Sequence, residues 1–235
     1  MKLFLMPYAG ASAMVYNQLR ECIHPCIVTI VFEYKRRGIR SDEEFYNDIH
    51  EGVDDAFCFL KQNLQEGENY AIFGHSMGGL FTYELLGRIE KENMKYPLHV
   101  FISSRRAPHL KRPQDKKYYL LPDQEFWEEL IAIGGIDEDF IHDERIQSYF
   151  LPIIRSDYKL IEEYENQNMD IKINCNMTII FAKNDLEVDK EEVIKWEAYG
   201  LKDIEMFAFD GGHFYFKENF FELSNIINNT LGKYK

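Results

Sequence analysis

Six short apolar runs are spaced along the chain, and each has the length and composition of a buried β-strand. They cover residues 2–6, 26–32, 70–74, 99–104, 177–182 and 204–209. Because the runs are nearly continuously apolar, both faces of each strand are expected to be covered, as in a parallel sheet between layers of helices. The pattern therefore predicts an α/β fold with a mostly parallel sheet.

Helical spacing of apolar residues separates these runs. An apolar stripe extends from Phe45 to Leu60, and Ser41 and Glu44 ahead of it have the spacing of a capping box. The sequence GGLFTYELLGRIEKE at 78–92 predicts another helix. Short crossovers of this kind connect parallel strands.

Residues 105–176 form a connection much longer than one crossover needs. The stretches PDQEFWEELIAI and DERIQSYFLPIIRSDYKLIEEY predict two helices there, the second interrupted by Pro152. Long insertions in compact domains often act as lids. We therefore expect a single domain over 1–235 with a helical lid insertion at about 105–176.

Composition and charge limit the classes of binding partner that the chain is expected to have. A chain of 235 residues with 46% hydrophobic residues can bury one core, and 40 Asp and Glu against 27 Lys and Arg give a formal charge of −13. This excess of acid argues against broad binding to nucleic acid or anionic membranes. No apolar run predicts a signal peptide or a membrane span, so a cytoplasmic location is expected.

The four cysteines do not predict a disulfide framework. Cys22, His24 and Cys26 lie close in sequence, but a second pair of metal ligands is missing, so no metal site is predicted.

The pentapeptide from Gly74 to Gly78, GHSMG, matches G-x-S-x-G between a predicted strand and a predicted helix. This context is typical of a nucleophile elbow, with Ser76 as the nucleophile. A serine that caps the helix is the alternative. The Met77 amide at the start of the helix and the Ala9 amide in the loop MPYAG after the first strand are the predicted oxyanion-hole donors.

A serine nucleophile needs a histidine base and a carboxylate that orients the histidine. In proteins with a nucleophile elbow the carboxylate follows the serine along the chain, and the histidine follows the carboxylate. His213 follows the last predicted strand in FDGGHF and is the predicted base, whereas His142 lies inside the insertion. His75 neighbours Ser76, but we expect it to support the turn. The acid is predicted to be Asp185.

Two other carboxylates compete with Asp185 for the role of acid. Asp189 lies farther into the next helix, and Asp210 is so near His213 in sequence that the turn is expected to aim it elsewhere.

Several segments together resemble the type II thioesterases that accompany non-ribosomal peptide synthetases and polyketide synthases, within the α/β-hydrolase superfamily. The matching stretches are MPYAGASAMVY, RRGIR, FGHSMGG, SSRRAP, LPDQEFWEELIAIGGI, YFLPIIRSDYKLIEEY and FDGGHFYF. The resemblance implies the triad Ser76, Asp185 and His213, the Ala9 and Met77 amides, and a helical lid. Its substrate would be an acyl thioester on the phosphopantetheine arm of a carrier protein, and no cofactor is required.

Two segments depart from the family pattern and leave acyl and partner preference open. Residues 35–38 read KRRG where the family usually has PGRG, and residues 103–105 read SSR where it has SGR. A fatty-acyl-carrier-protein thioesterase, a general esterase and a non-catalytic acyl-carrier-binding protein remain alternatives.

Two basic clusters are candidate docking patches for an acidic carrier protein, and a solvated basic face is the alternative interpretation. Their members are Lys35, Arg36, Arg37 and Arg40, with Arg105, Arg106, Lys111 and Arg112.

Overall fold

The computed structural model describes residues 1–110, 117–136, 143–166 and 171–234. Its six strands are β1 Lys2–Met6, β2 Val28–Val31, β3 Tyr70–His75, β4 His99–Ser103, β5 Asn176–Ala182 and β6 Ile204–Phe209. They form one sheet in the order β2-β1-β3-β4-β5-β6, and every neighbouring pair is parallel. The predicted α/β fold with a parallel sheet is confirmed.

Helices cover both faces of this sheet. Their bounds are α1 Asn17–Cys22, α2 Ile49–Asn63, α3 Met77–Lys91, α4 Asp123–Ala132, α5 Glu144–Glu162, α6 Lys190–Ile194 and α7 Phe220–Gly232. Alternate side chains of β1 separate the two layers: Phe4 and Met6 pack with α2 and α3, whereas Leu3 and Leu5 pack with α1 and α7. The strands lie between two apolar layers, which explains their continuous hydrophobicity.

Helix α2 begins later than the capping-box pattern predicts. Asp48 is its N-cap, and the Asp48 carboxylate accepts the Glu51 N–H at 2.9 Å. The predicted cap at Ser41 is wrong because the residues that follow it are held in tertiary contacts. Arg40 and Tyr46, on either side of Ser41, both bond the Asp55 carboxylate of α2, and Tyr46 is buried in the core.

Helix α5 is also different from the prediction, because it runs through Pro152 without interruption. The proline removes one backbone N–H from the helix. Packing of the buried face outweighs this loss, since Ile153, Ile154 and Leu160 on the same helix are almost fully buried. Asp157 lies among them and is only 2% exposed.

Helices α4 and α5 both belong to the segment between β4 and β5. Phe126, Trp127 and Leu130 of α4 pack with Ile154 of α5 in a separate apolar cluster. This cluster joins the two helices to each other. None of the helices in the described ranges combines the length and the apolar character that a membrane span requires.

Candidate active site

Ser76 lies in a sharp turn between β3 and α3. Its backbone has φ 54° and ψ −113°, a strained conformation for a residue with a side chain. A Cβ on Gly74 would lie 2.1 Å from the Gly78 carbonyl oxygen, and a Cβ on Gly78 would lie 2.0 Å from the Met6 carbonyl oxygen. The two glycines are therefore required by close backbone contacts around the serine.

Three side chains predicted from the sequence meet in one hydrogen-bonded chain. The Ser76 Oγ is 2.9 Å from His213 Nε2, and His213 Nδ1 is 3.0 and 2.9 Å from the two carboxylate oxygens of Asp185. The side chain of His213 is 5% exposed and that of Asp185 is fully buried. Asp185 Oδ1 also accepts the backbone N–H groups of Glu187 and Val188, at 2.8 and 3.2 Å, which fixes the carboxylate.

The competing candidates lie elsewhere. Asp189 caps α6 in a capping box with Glu192. Asp210 is exposed and pairs with Lys183 at 2.8 Å. His142 lies outside the described residues. Asp185 is therefore the carboxylate that contacts His213.

His75 supports the turn, as expected, through a buried chain of hydrogen bonds. It is fully buried, and its Nδ1 is 2.8 Å from Ser103 Oγ, which in turn is 2.7 Å from the Tyr215 hydroxyl. Burial lowers the pKa of His75 well below its usual range, and the charges of His213 and Lys217 act in the same direction. A neutral His75 thus connects the ends of β3 and β4 to the segment that follows His213.

The two amides proposed as oxyanion-hole donors lie in different elements. Met77 is the first residue of α3, and Ala9 lies in the loop of residues 6–11, the oxyanion loop. In the described residues, neither amide donates to an acceptor in a loop, turn or cap. An unpaired amide at a helix start attracts negative charge.

Hydrogen bonds hold the oxyanion loop at several points. The Met6 carbonyl accepts from the Tyr16 hydroxyl, and the Pro7 carbonyl accepts from the Tyr34 hydroxyl, each at 3.0 Å. Both tyrosines are fully buried. The loop is therefore fixed against the core.

A cavity of about 320 Å³ opens beside Ser76 and His213. Apolar side chains of α4, α5 and the segment between them line much of it: Leu130, Ile133, Ile136, Ile154, Tyr158 and Ile161. Arg105, His109 and Lys117 add polar groups. Trp127 is not among the lining residues, since it packs inside the apolar cluster of α4 and α5. The cavity suits a ligand with an apolar chain and a polar portion.

The first basic cluster is largely neutralised within the chain. Arg37 is 2% exposed and makes a bidentate ion pair with Asp157. Lys35 pairs with Glu51, and Arg40 pairs with Glu43 and Asp55. Arg37 therefore cannot present its charge to a partner.

The second basic cluster, Arg105 to Arg112, is also partly neutralised within the chain. Arg106 is buried, donates to the Glu187 carbonyl and pairs with Glu192. Lys111 and Arg112 lie outside the described residues. Arg36 of the first cluster remains exposed, with its guanidinium over the Phe45 ring.

Asp157 is the residue near the site that sequence reasoning missed. A signal was present, because Asp157 falls on the apolar stripe formed by Ile153, Ile154 and Leu160. A carboxylate on a buried helix face needs a cationic partner. The pattern alone did not identify that partner as Arg37.

The parallel sheet, the strained serine after a central strand and the serine–histidine–carboxylate geometry define the class of α/β-hydrolase serine hydrolases. The chain belongs to the thioesterase domain family, which matches residues 1–231. It is therefore a thioester hydrolase.

Individual relatives extend over nearly the whole chain. Thioesterase PikA5 of Streptomyces venezuelae is 29% identical over 98% of this chain and 80% of its own length. The gramicidin S biosynthesis protein GrsT of Aneurinibacillus migulanus is 28% identical over 98% of this chain and 89% of its own. The crystal structure of ClbQ from the colibactin NRPS/PKS pathway is 28% identical, with a TM-score of 0.92 over 99% of this chain and 97% of ClbQ. The similar proteins thus include members from peptide and polyketide biosynthesis.

Proposed function

We propose that this protein is a stand-alone type II thioesterase that removes acyl groups from the phosphopantetheine arm of carrier proteins in peptide or polyketide synthesis. The observation that carries the proposal is the chain of hydrogen bonds from Ser76 through His213 to Asp185 at one end of a largely apolar cavity. The similarity to GrsT and ClbQ supports the pathway assignment.

The geometry fits a two-step reaction through an acyl-enzyme. His213 Nε2, 2.9 Å from Ser76 Oγ, takes the hydroxyl proton as the oxygen attacks the thioester carbonyl. The carbonyl oxygen gains negative charge and receives hydrogen bonds from the Met77 and Ala9 amides, each worth about 100- to 1000-fold in rate. The C–S bond breaks, and the pantetheine thiol leaves with the proton from His213.

Water completes the reaction. His213 takes a proton from a water molecule that attacks the acyl-serine, and it returns that proton to Ser76 Oγ as the acid leaves. Asp185 holds Nδ1–H and stabilises the imidazolium in both steps. The two reaction steps use only groups of this chain and water, and the phosphopantetheine is part of the substrate.

In this proposal the segment over 105–176 acts as the lid of the acyl site. Its helices α4 and α5 supply most of the apolar lining of the cavity, so they are placed to select the acyl group. In this proposal the partners are acyl-loaded carrier domains, and the protein acts beside its synthase in the cytoplasm.

The test is hydrolysis of a loaded carrier protein by the wild type and by Ser76→Ala, followed by intact-protein mass spectrometry. Ser76→Ala should lose at least about 1000-fold in rate. The control Ser148→Ala removes an exposed hydroxyl of α5 and should leave the rate unchanged. Release by Ser76→Ala at the wild-type rate would refute the proposal.

The substrate panel separates the alternatives. Short acyl-carrier substrates should be cleaved faster than long acyl-carrier substrates and oxygen esters. A preference for long chains would instead indicate a fatty-acyl thioesterase, and a preference for oxygen esters a general esterase. Binding of an acyl-carrier without turnover by the wild type would indicate a binding protein.

A further inference from the structure

The ion pair of Arg37 and Asp157 connects three separate parts of the chain. Arg37 follows β2, Asp157 lies on α5, and both contact the oxyanion loop. Arg37 Nη1 and Nη2 lie 2.6 and 2.7 Å from the two carboxylate oxygens. Their side chains are 3% and 2% exposed, so the pair is shielded from water and salt.

Both partners also bond the backbone of the oxyanion loop. Asp157 Oδ2 accepts the Gly10 N–H at 2.7 Å, and Arg37 Nη1 donates to the Ala11 carbonyl at 3.2 Å. Gly10 has φ +80°, and a Cβ there would lie 2.6 Å from Cγ1 of Ile154, one turn before Asp157 on α5. Helix α5 therefore fixes Gly10 by a hydrogen bond from the Gly10 N–H to Asp157 and by the close packing of Ile154.

The Gly10 peptide directly follows Ala9, whose amide is the proposed oxyanion donor. Fixing the Gly10 N–H fixes the plane of the peptide that joins the two residues, and this limits how the Ala9 backbone can rotate. Displacement of α5 would remove the acceptor of Gly10.

We propose that Arg37 and Asp157 are positioning residues for the thioesterase reaction, and that they hold the Ala9 amide in its oxyanion-binding orientation only while α5 is docked. The inference rests on the proposed function. It makes one helix of the acyl-binding segment part of the support of the oxyanion hole. Substrate entry and completion of the hole are thereby linked through a single helix.

Two double variants isolate the hydrogen bond to Gly10. Arg37→Met with Asp157→Leu replaces the buried pair by apolar side chains of similar size, which proteins often tolerate. Arg37→Met with Asp157→Asn removes the same charges but keeps an oxygen that can accept the Gly10 N–H. The variants therefore differ mainly in that acceptor, and Lys159→Met, which removes an exposed charge from the same helix, is the control.

Lys159 suits this purpose because its side chain is half exposed and its ammonium pairs with Glu163 at the end of the same helix, at 4.0 Å. The kcat of Lys159→Met on a small soluble thioester should equal that of the wild type.

On that substrate the Leu-containing double variant should lose about 10- to 100-fold in kcat, with a much smaller change in KM, because the loss falls on the transition state. The Asn-containing variant should retain most of the wild-type kcat. An alkyl boronic acid, which forms a tetrahedral adduct on Ser76, should bind the Leu-containing variant more weakly by a similar factor. Equal kcat values in the two double variants, whether high or low, would overturn the proposal.

A second measurement uses the wild type and does not depend on the folding of any variant. In native-state hydrogen exchange, the Gly10 amide and the amides of α5 around Asp157 should become exposed in one opening event with one denaturant dependence. Independent opening would overturn the proposal. Ser76→Ala measured in parallel separates the two inferences: full loss there, with an unaffected Leu-containing variant, would refute only the positioning role.

Discussion

Gly78→Ala tests whether the turn around Ser76 and the oxyanion loop form one rigid unit. The added methyl would lie 2.0 Å from the Met6 carbonyl oxygen, 2.7 Å from the Met6 carbonyl carbon and 2.8 Å from the Pro7 carbonyl oxygen. Real Cβ contacts are essentially never shorter than 3.0 Å, so the two backbones must separate by at least 1.0 Å. All three obstructing atoms belong to the backbone and cannot rotate away.

The magnitude follows from where that movement occurs. Met6 ends β1 inside the sheet, and the carbonyls of Met6 and Pro7 are held by buried tyrosine hydroxyls. Forcing extra volume into such packing costs about 1–3 kcal/mol of stability. A displacement of about 1 Å between the attacking serine and the oxyanion donors costs about 100-fold in rate, equivalent to about 2.7 kcal/mol.

The assay compares kcat on a soluble acyl thioester with the free energy of unfolding in urea. Gly78→Ala should lower both quantities. Gly232→Ala, at the end of α7, is the matched control, because its added methyl meets no atom within 4 Å. Wild-type kcat in a stably folded Gly78→Ala variant would show that the loop adjusts freely and would refute the reasoning.

Two further predictions concern single side chains. Asp185→Asn should lower kcat by about 10,000-fold with little change in KM, because the amide no longer favours the required histidine tautomer. Steady-state kinetics on the same thioester measure this loss, and a near-normal kcat would contradict the prediction. Burial lowers the pKa of His99 to about 4; the unfolded chain therefore binds more protons between about pH 4 and pH 6.5, and stability is lost as the pH falls through this window. His99→Gln should flatten the dependence of the unfolding free energy on pH by up to about 1.4 kcal/mol per pH unit in urea titrations, and an unchanged slope would assign the acid sensitivity to other groups.

The strands and the serine–histidine–carboxylate set were predictable because each has a strong local signal. Continuous apolar runs mark strands that are covered on both faces, and Ser76, Asp185 and His213 each follow such a run. The start of α2 was not predictable in this way, since residues 41–44 and 48–51 both resemble helix caps. The burial of Tyr46 in the core and its hydrogen bond to Asp55 decide between them.

Arg37 shows a second limit of reading the sequence. A run of basic residues is typical of a solvated surface. The carboxylate that neutralises the buried Arg37 is Asp157, which lies 120 residues away on α5. No local pattern around Arg37 contains that information. The buried carboxylate on an apolar helix face was the better signal, because it demands a partner wherever that partner lies.

The left-handed backbone of Ser76 has a consequence for how this chain responds to selection. Holding a serine at φ 54° costs on the order of 1–3 kcal/mol, a large part of the net stability of a domain. Glycine at this position would relieve that cost and abolish the nucleophile. Any laboratory evolution that rewards only thermal stability therefore acts against the active site, and activity must be selected at the same time.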